Sequence, residues 1–221
     1  MDGLRAGVLL DLDGTLVDTN YLHTLAWSRG LVDVGEWAPM HAIHRLVGMG
    51  SDQLVRELVG REVAGASDAW HRHYRLLRQE ARLFPGARDL VLRLHAEGLV
   101  VVLASSSPKE EVELVVDLLD AGAAVGAVTT ADDVGEAKPA PDVVEAALRA
   151  GSVDPARSLV VGDTIWDVRS ARAAGVGCIG VESGGFSRHE LTEDGAVEVY
   201  RDVAELLSQL RTSAVAHLLP R

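Results

Sequence analysis

Residues 8–20 read VLLDLDGTLVDTN: an apolar run followed by aspartates at 11, 13 and 18. A carboxylate at the end of a buried strand is costly unless water, a metal or a hydrogen-bond donor compensates it. Either Asp11 and Asp13 face solvent, or something cationic belongs beside them. Similar apolar runs recur at 7–12 (GVLLDL), 99–104 (LVVVLA), 126–131 (GAVTTA), 158–163 (SLVVGD) and 177–181 (GCIGV). Continuous β-branched runs of this length suit strands buried on both faces of a parallel sheet. Helical patterns between them imply right-handed crossovers and an open α/β sheet.

The 221 residues allow one large domain or a core carrying an insertion, and 48% hydrophobic content supplies a substantial core. A net charge of −12 argues against nucleic-acid and anionic-membrane partners, both of which need a basic face. An anionic substrate would need local positive charge, and the chain has only two lysines, Lys109 and Lys138. The lone cysteine, Cys178, lies in an apolar run and reads as a buried, inert thiol. No basic, apolar leader and no run long enough to span a bilayer is seen, so a cytoplasmic protein is expected.

Residues 19–83 break the alternation. They hold no convincing buried strand but carry amphipathic patterns in YLHTLAWSRGLVDV, SDQLVRELVG and DAWHRHYRLLRQEARL. After LFPGA the α/β pattern resumes. The expected organisation is an α/β core, 1–18 and 84–221, with an inserted helical cap, 19–83. In SPKEEVELVVDLLDAG, Ser107 reads as the N-cap, Pro108 as the first helical residue, Glu110 as the capping-box partner and Gly122 as the terminator. SRHE at 187–190 offers a second capping box, and a last helix is expected through RDVAELLSQLR, leaving 212–221 as a tail.

Open α/β sheets bind ligands beyond the carboxyl ends of their strands, so the polar residues there are read together. Those ends carry Asp11 and Asp13, ASSS at 104–107, AKPAPD at 137–142 and VVGDTIWD at 160–167. The inventory of aspartates, hydroxyls and one lysine suits phosphoryl transfer with a bound magnesium ion. DLDGTLVDT, ASSS, KPAPD and GDTIWD, in this order, resemble the four motifs of the haloacid dehalogenase superfamily. DTNYLHTLAW and KPAPD are most similar to its branch of β-phosphoglucomutases and phosphoglycolate phosphatases.

The resemblance implies a Rossmann-like core with a helical cap, and an Mg2+-dependent phosphatase acting on a small phosphorylated metabolite. It makes Asp11 the nucleophile that forms an aspartyl-phosphate, and Asp13 the general acid and base. Ser105, Ser106 and Lys138 would bind phosphate. Asp11, the Asp13 backbone carbonyl and Asp163 would hold the metal, with Asp167 acting through water or by orienting Lys138. His23 and Ser51 are its candidate substrate residues in the cap, although a His23–Trp27 contact within the cap core explains His23 almost as well. Ser107 and Lys109 are explained by capping and by solvation of a first helical turn. His71 and His73, two apart on a helix, face differently and do not suggest a metal site.

A β-phosphoglucomutase-like mutase is the nearest alternative. It is weakened by Ser51 standing near the place where that mutase carries an arginine for the second phosphate. Dehalogenation is disfavoured by the presence of Asp13, and phosphonate hydrolysis by a cap without lysine. A non-catalytic phosphate-binding protein on the same fold remains a reading of a different class.

Overall fold

The computed structural model describes residues 3–219. The chain opens with β1 (Arg5–Leu10), followed by α1 (Asn20–Asp33), α2 (Met40–Leu46), α3 (Ser51–Val59) and α4 (Ala66–Leu77). Next come α5 (Ala87–Ala96), β2 (Val100–Leu103), α6 (Lys109–Leu119), β3 (Ala127–Val128) and α7 (Asp142–Gly151). The last third holds β4 (Val153–Gly162), α8 (Ile165–Ala173), β5 (Gly177–Val181), α9 (Arg188–Asp194), β6 (Glu198–Tyr200) and α10 (Val203–Ser208).

All six strands pair in parallel in the order β3-β2-β1-β4-β5-β6. This is the α/β architecture expected from the apolar runs. β2 is buried at every position, and β1 at every position after Arg5. Leu9 sits between Val102 and Val160 in register, so the centre of the sheet is a continuous β-branched and leucine layer. Val144 and Ala147 of α7, Val168 and Ala171 of α8, and Phe186 and Leu191 join the apolar cluster that includes Leu9, Val102 and Val160. Cys178 lies in that cluster as a free thiol, and burial pushes its pKa well up, in keeping with an inert role. β6 was not among the expected strands. At three residues, one of them Glu198, it has too little apolar run to be seen without its neighbour β5.

The chain forms two compact units, Asp18–Arg82 and the remainder. Asp18–Arg82 contains the four helices α1 to α4 and no strand. Its interior is an aromatic stack: Trp27 on Trp70 at 5.3 Å between ring centroids, Trp70 on Tyr74 at 5.4 Å, and His23 on Tyr74 at 4.0 Å. Leu31, Ile43, Leu54 and Val55 complete that core. His71 packs edge-on against Trp70 and His73 bonds Asp33 at 2.9 Å, so the two do act separately.

Several local signals resolve differently from expectation. Helix α6 begins at Lys109 with Pro108 in the N-cap position, so Ser107 is not its cap. The same helix ends at Asp120, which takes the left-handed conformation (φ 44°), before Gly122 is reached. The 187–190 capping box forms as expected, with Glu190 accepting from the Ser187 N–H at 2.9 Å. In the tail, Ala214–Leu218 forms a 3-10 turn whose Ala214 N–H donates to Glu198 at 2.9 Å; the tail's last two residues lie outside the described ones. No helix among the described residues is long and apolar enough to cross a membrane.

Candidate active site

The strand order places the ends of β2, β1 and β4 side by side, and the candidate site residues follow those ends. The Asp11 N–H donates to the Val161 carbonyl at 3.0 Å, which prolongs the β1–β4 ladder by one position. The Ala104 N–H donates to the Leu10 carbonyl at 2.8 Å and so sets Ser105 beside β1. Asp163 is the residue directly after β4. Order reverses between β1 and β4, and the crevice at such a switch point is where open α/β sheets receive ligands.

Lys138 comes from the loop before α7 and is buried. Its Nζ lies 2.5 Å from Asp11 Oδ1 and 2.6 Å from Asp167 Oδ1. The Ser170 hydroxyl donates to the Ala140 carbonyl at 2.6 Å and ties the lysine's loop to α8. Asp167 is fixed from the other side: its Oδ2 accepts from the Thr164 N–H at 3.0 Å and the Thr164 hydroxyl at 2.5 Å, a capping box on α8. Gly162 makes room for this carboxylate, since a Cβ there would stand 2.4 Å from Asp167 Cγ.

The carboxylate oxygens of Asp11, Asp163 and Asp167 lie within 4.8 Å of one another, and all three residues are buried. Three clustered carboxylates with one ammonium, which meets two of them, leave an excess of negative charge in a desolvated space. That donor set is all oxygen and fits a hard divalent cation such as magnesium. Asp167 already meets Lys138 and Thr164 with its two oxygens. The Asp13 carboxylate stands outside this cluster and accepts from the Ser107 hydroxyl at 3.4 Å.

The electrostatics follow from burial. Desolvation raises the Asp11 pKa to about 7; Lys138 opposes the rise, and Asp167 and Asp13 add to it. For Lys138, burial pulls the pKa down, but the Asp11 and Asp167 carboxylates outweigh it and leave the ammonium firmly charged.

Ser105 is buried and held by Thr129, whose hydroxyl accepts from the Ser105 N–H and donates to its carbonyl, both at 3.1 Å. Its own hydroxyl accepts from the Ser107 N–H at 3.0 Å, which shapes the loop containing Ser106. Thr15 was missed by sequence reasoning. Fully buried, its hydroxyl lies 3.2 Å from Asp11 Oδ2 and 3.1 Å from Asp163 Oδ1. The signal was available in DLDGT, where Thr15 follows Asp11 by four residues, but nothing local pointed to Asp163 as its second neighbour. Of the residues expected in the helical unit, His23 is buried in the aromatic stack and Ser51 is the first residue of α3.

The family model of haloacid dehalogenase-like hydrolases matches residues 6–175. The chain is 31% identical over 214 residues to a phosphoglycolate phosphatase of Rhodospirillum rubrum, covering 90% of this chain and 88% of that one. Among solved structures, a hydrolase from Pseudomonas syringae is similar with a TM-score of 0.88 and 30% identity, over 95% of this chain and 100% of that one. CbbY from Rhodobacter sphaeroides, solved in complex with phosphate, is similar with a TM-score of 0.75 and 26% identity, over 92% of this chain and 96% of that one.

Proposed function

We propose that this chain, which belongs to the haloacid dehalogenase-like hydrolase family, is a magnesium-dependent phosphatase that cleaves a small phosphate monoester through an aspartyl-phosphate. The observation that carries this reading is the buried chain Asp167–Lys138–Asp11 beside Asp163. A nucleophilic carboxylate, a fixed ammonium and a second carboxylate for a metal stand together at the strand ends.

In this reading Asp11 attacks phosphorus as the bond to the leaving oxygen breaks. Lys138 holds its positive charge at any working pH and offsets the repulsion between carboxylate and phosphate. Ser105 and the backbone of Ser106, shaped by Thr129, bind the phosphoryl oxygens. Asp13 gives its proton to the departing alkoxide, then takes one from the water that hydrolyses the acyl phosphate and restores Asp11. Magnesium, held by the Asp11 carboxylate, the Asp13 backbone carbonyl and the Asp163 carboxylate, would supply Lewis-acid neutralisation of the phosphate charge. Asp167 orients Lys138.

Substrates of the phosphoglycolate or sugar phosphate class have the first claim. Relatives named phosphoglycolate phosphatase support this, as does a variant of CbbY solved in complex with xylulose-(1,5)bisphosphate. The helical unit Asp18–Arg82, inserted between Val17 and Leu83, is assigned the choice among substrates, with His23 and Ser51 as its candidate residues. The test is release of inorganic phosphate from phosphoglycolate, sugar phosphates and sugar bisphosphates with magnesium, joined to acid-quench trapping of the phosphoenzyme. Expected are turnover that chelation abolishes and an acid-stable, hydroxylamine-labile phosphate on the protein. Full activity after exhaustive chelation overturns the metal assignment, and turnover with no trapped phosphoenzyme overturns the covalent one.

A further inference from the structure

The turn that carries Asp13 hinges on Gly14, which takes a left-handed conformation (φ 81°) that other residues rarely adopt. Glycine is the softest link in a chain, so the position of Asp13 depends on what restrains its neighbour. Gly14 is restrained on both sides. Its N–H donates to the Val17 carbonyl at 2.8 Å, and its carbonyl accepts from the Ser183 hydroxyl at 2.7 Å. The first bond lies within the turn; the second crosses 169 residues of sequence.

Ser183 belongs to the short 3-10 turn Glu182–Gly184 after β5, a strand separated from β1 by β4. That turn is itself anchored: Glu182 Oε1 accepts from the Arg188 N–H at 3.0 Å at the start of α9, and Glu182 Oε2 lies 3.4 Å from the Arg188 guanidinium. A continuous set of bonds therefore runs from α9 through Glu182 and Ser183 to the Gly14–Thr15 peptide. The restraint also lies just before Val17, where the chain leaves the core for the helical unit.

We infer that Ser183 is a positioning residue for proton transfer by Asp13, acting through its hydrogen bond to the Gly14 carbonyl. The inference rests on the acid/base role of Asp13 proposed above. Losing the bond removes the restraint on the carbonyl side of the Gly14–Thr15 peptide, whose N–H still donates to the Leu12 carbonyl at 3.2 Å, and lets the Asp13 carboxyl wander from the leaving oxygen. Small misplacements of a catalytic group are costly in rate. Substrate binding, which depends on Ser105, Ser106 and Lys138, is untouched.

The experiment compares Ser183→Ala, Ser183→Thr and Asp11→Asn by rapid-quench measurement of phosphoenzyme formation from an alkyl and an aryl phosphate. A poor leaving group needs the proton from Asp13, and p-nitrophenolate hardly does. Ser183→Ala is expected to slow phosphoenzyme formation from the alkyl ester about tenfold, with the aryl ester slowed by less than about threefold and KM little changed. Ser183→Thr, which keeps the hydroxyl, is expected to restore most of the loss. Equal slowing of both esters, or no rescue by threonine, overturns the inference while leaving the phosphatase reading standing. Phosphoenzyme formation by Asp11→Asn overturns that reading and the inference with it.

Discussion

The two compact units keep their charges in opposite ways. In the α/β core Asp11, Glu111, Lys138, Asp163 and Asp167 are all buried, and four of these five converge beyond β1 and β4. In Asp18–Arg82 no Asp, Glu, Lys or Arg is buried. Three of its ion pairs, Arg56–Glu62, Arg72–Asp33 and Arg61–Glu36, lie at or near the surface, and its interior is built from stacked rings. Exposed pairs contribute about 0–1 kcal/mol each, whereas each buried ion carries a desolvation penalty of several kcal/mol. The helical unit keeps its charges outside. The core holds carboxylates and an ammonium against that penalty, which is the mark of a site selected for chemistry rather than stability.

That contrast breaks most easily at Asp11. Asp11→Asn is expected to lower turnover on the order of 10⁴-fold or more, because an amide of the same shape cannot form the acyl phosphate. Its melting temperature at pH 8 should equal or exceed that of the wild type, since burial already disfavours the ionised form. Steady-state hydrolysis and a circular dichroism melt on the same sample check both halves. A folded variant with near wild-type turnover would remove the nucleophile assignment.

The mirror experiment is Trp70→Ala, which removes the ring shared by Trp27, His23 and Tyr74. It is expected to cost about 3–5 kcal/mol of stability, as for other large aromatic truncations. Per folded molecule, phosphoenzyme formation from p-nitrophenyl phosphate should fall far less than in Asp11→Asn. Denaturant titration paired with rapid-quench kinetics reads the two effects. A variant that stays stable but loses the chemical step would overturn the division of labour proposed for the units.

The smallest effect is a pH dependence. Asp11 has a folded pKa of about 7, above its unfolded value, so between the two the folded state keeps a proton that the unfolded chain releases. Stability from this group is therefore greatest at acid pH and is lost as pH rises from about 4 to about 7. Lys138, whose pKa is raised, contributes a stability that is constant over this window, because it is charged in both states. In chelator, wild type should lose melting temperature relative to Asp11→Asn as pH rises through that window. Magnesium should reverse the trend, and its apparent affinity should fall about tenfold per pH unit below 7, since binding displaces one proton. A wild type that gains on Asp11→Asn with rising pH would show that the Lys138 ion pair outweighs burial.

Much of the fold was legible because its signals are local. β1, β2, β4 and β5 each carry a continuous apolar run, and α1, α3 and α4 fall on the amphipathic stretches. What failed was also local in origin. α2 is only seven residues and β6 three, too short for periodicity to rise above noise. Ser107 had the residue type and spacing of a helix cap, yet its N–H meets Ser105 and its hydroxyl meets Asp13. A cap and a loop contact draw on the same serine chemistry, and only the fold selects between them.

Sequence alone determined the alternation of strands and helices, the helical interruption after β1 and the polar residues waiting at the strand ends. These depend on side-chain period and on the cost of buried charge, both readable along a short window. Tertiary structure alone decided that Lys138 reaches Asp11 across 127 residues, that Thr15 lies between Asp11 and Asp163, and that Ser183 restrains Gly14. Those contacts depend on strand order and register, which are set by packing the whole sheet at once, and no local stretch contains that information.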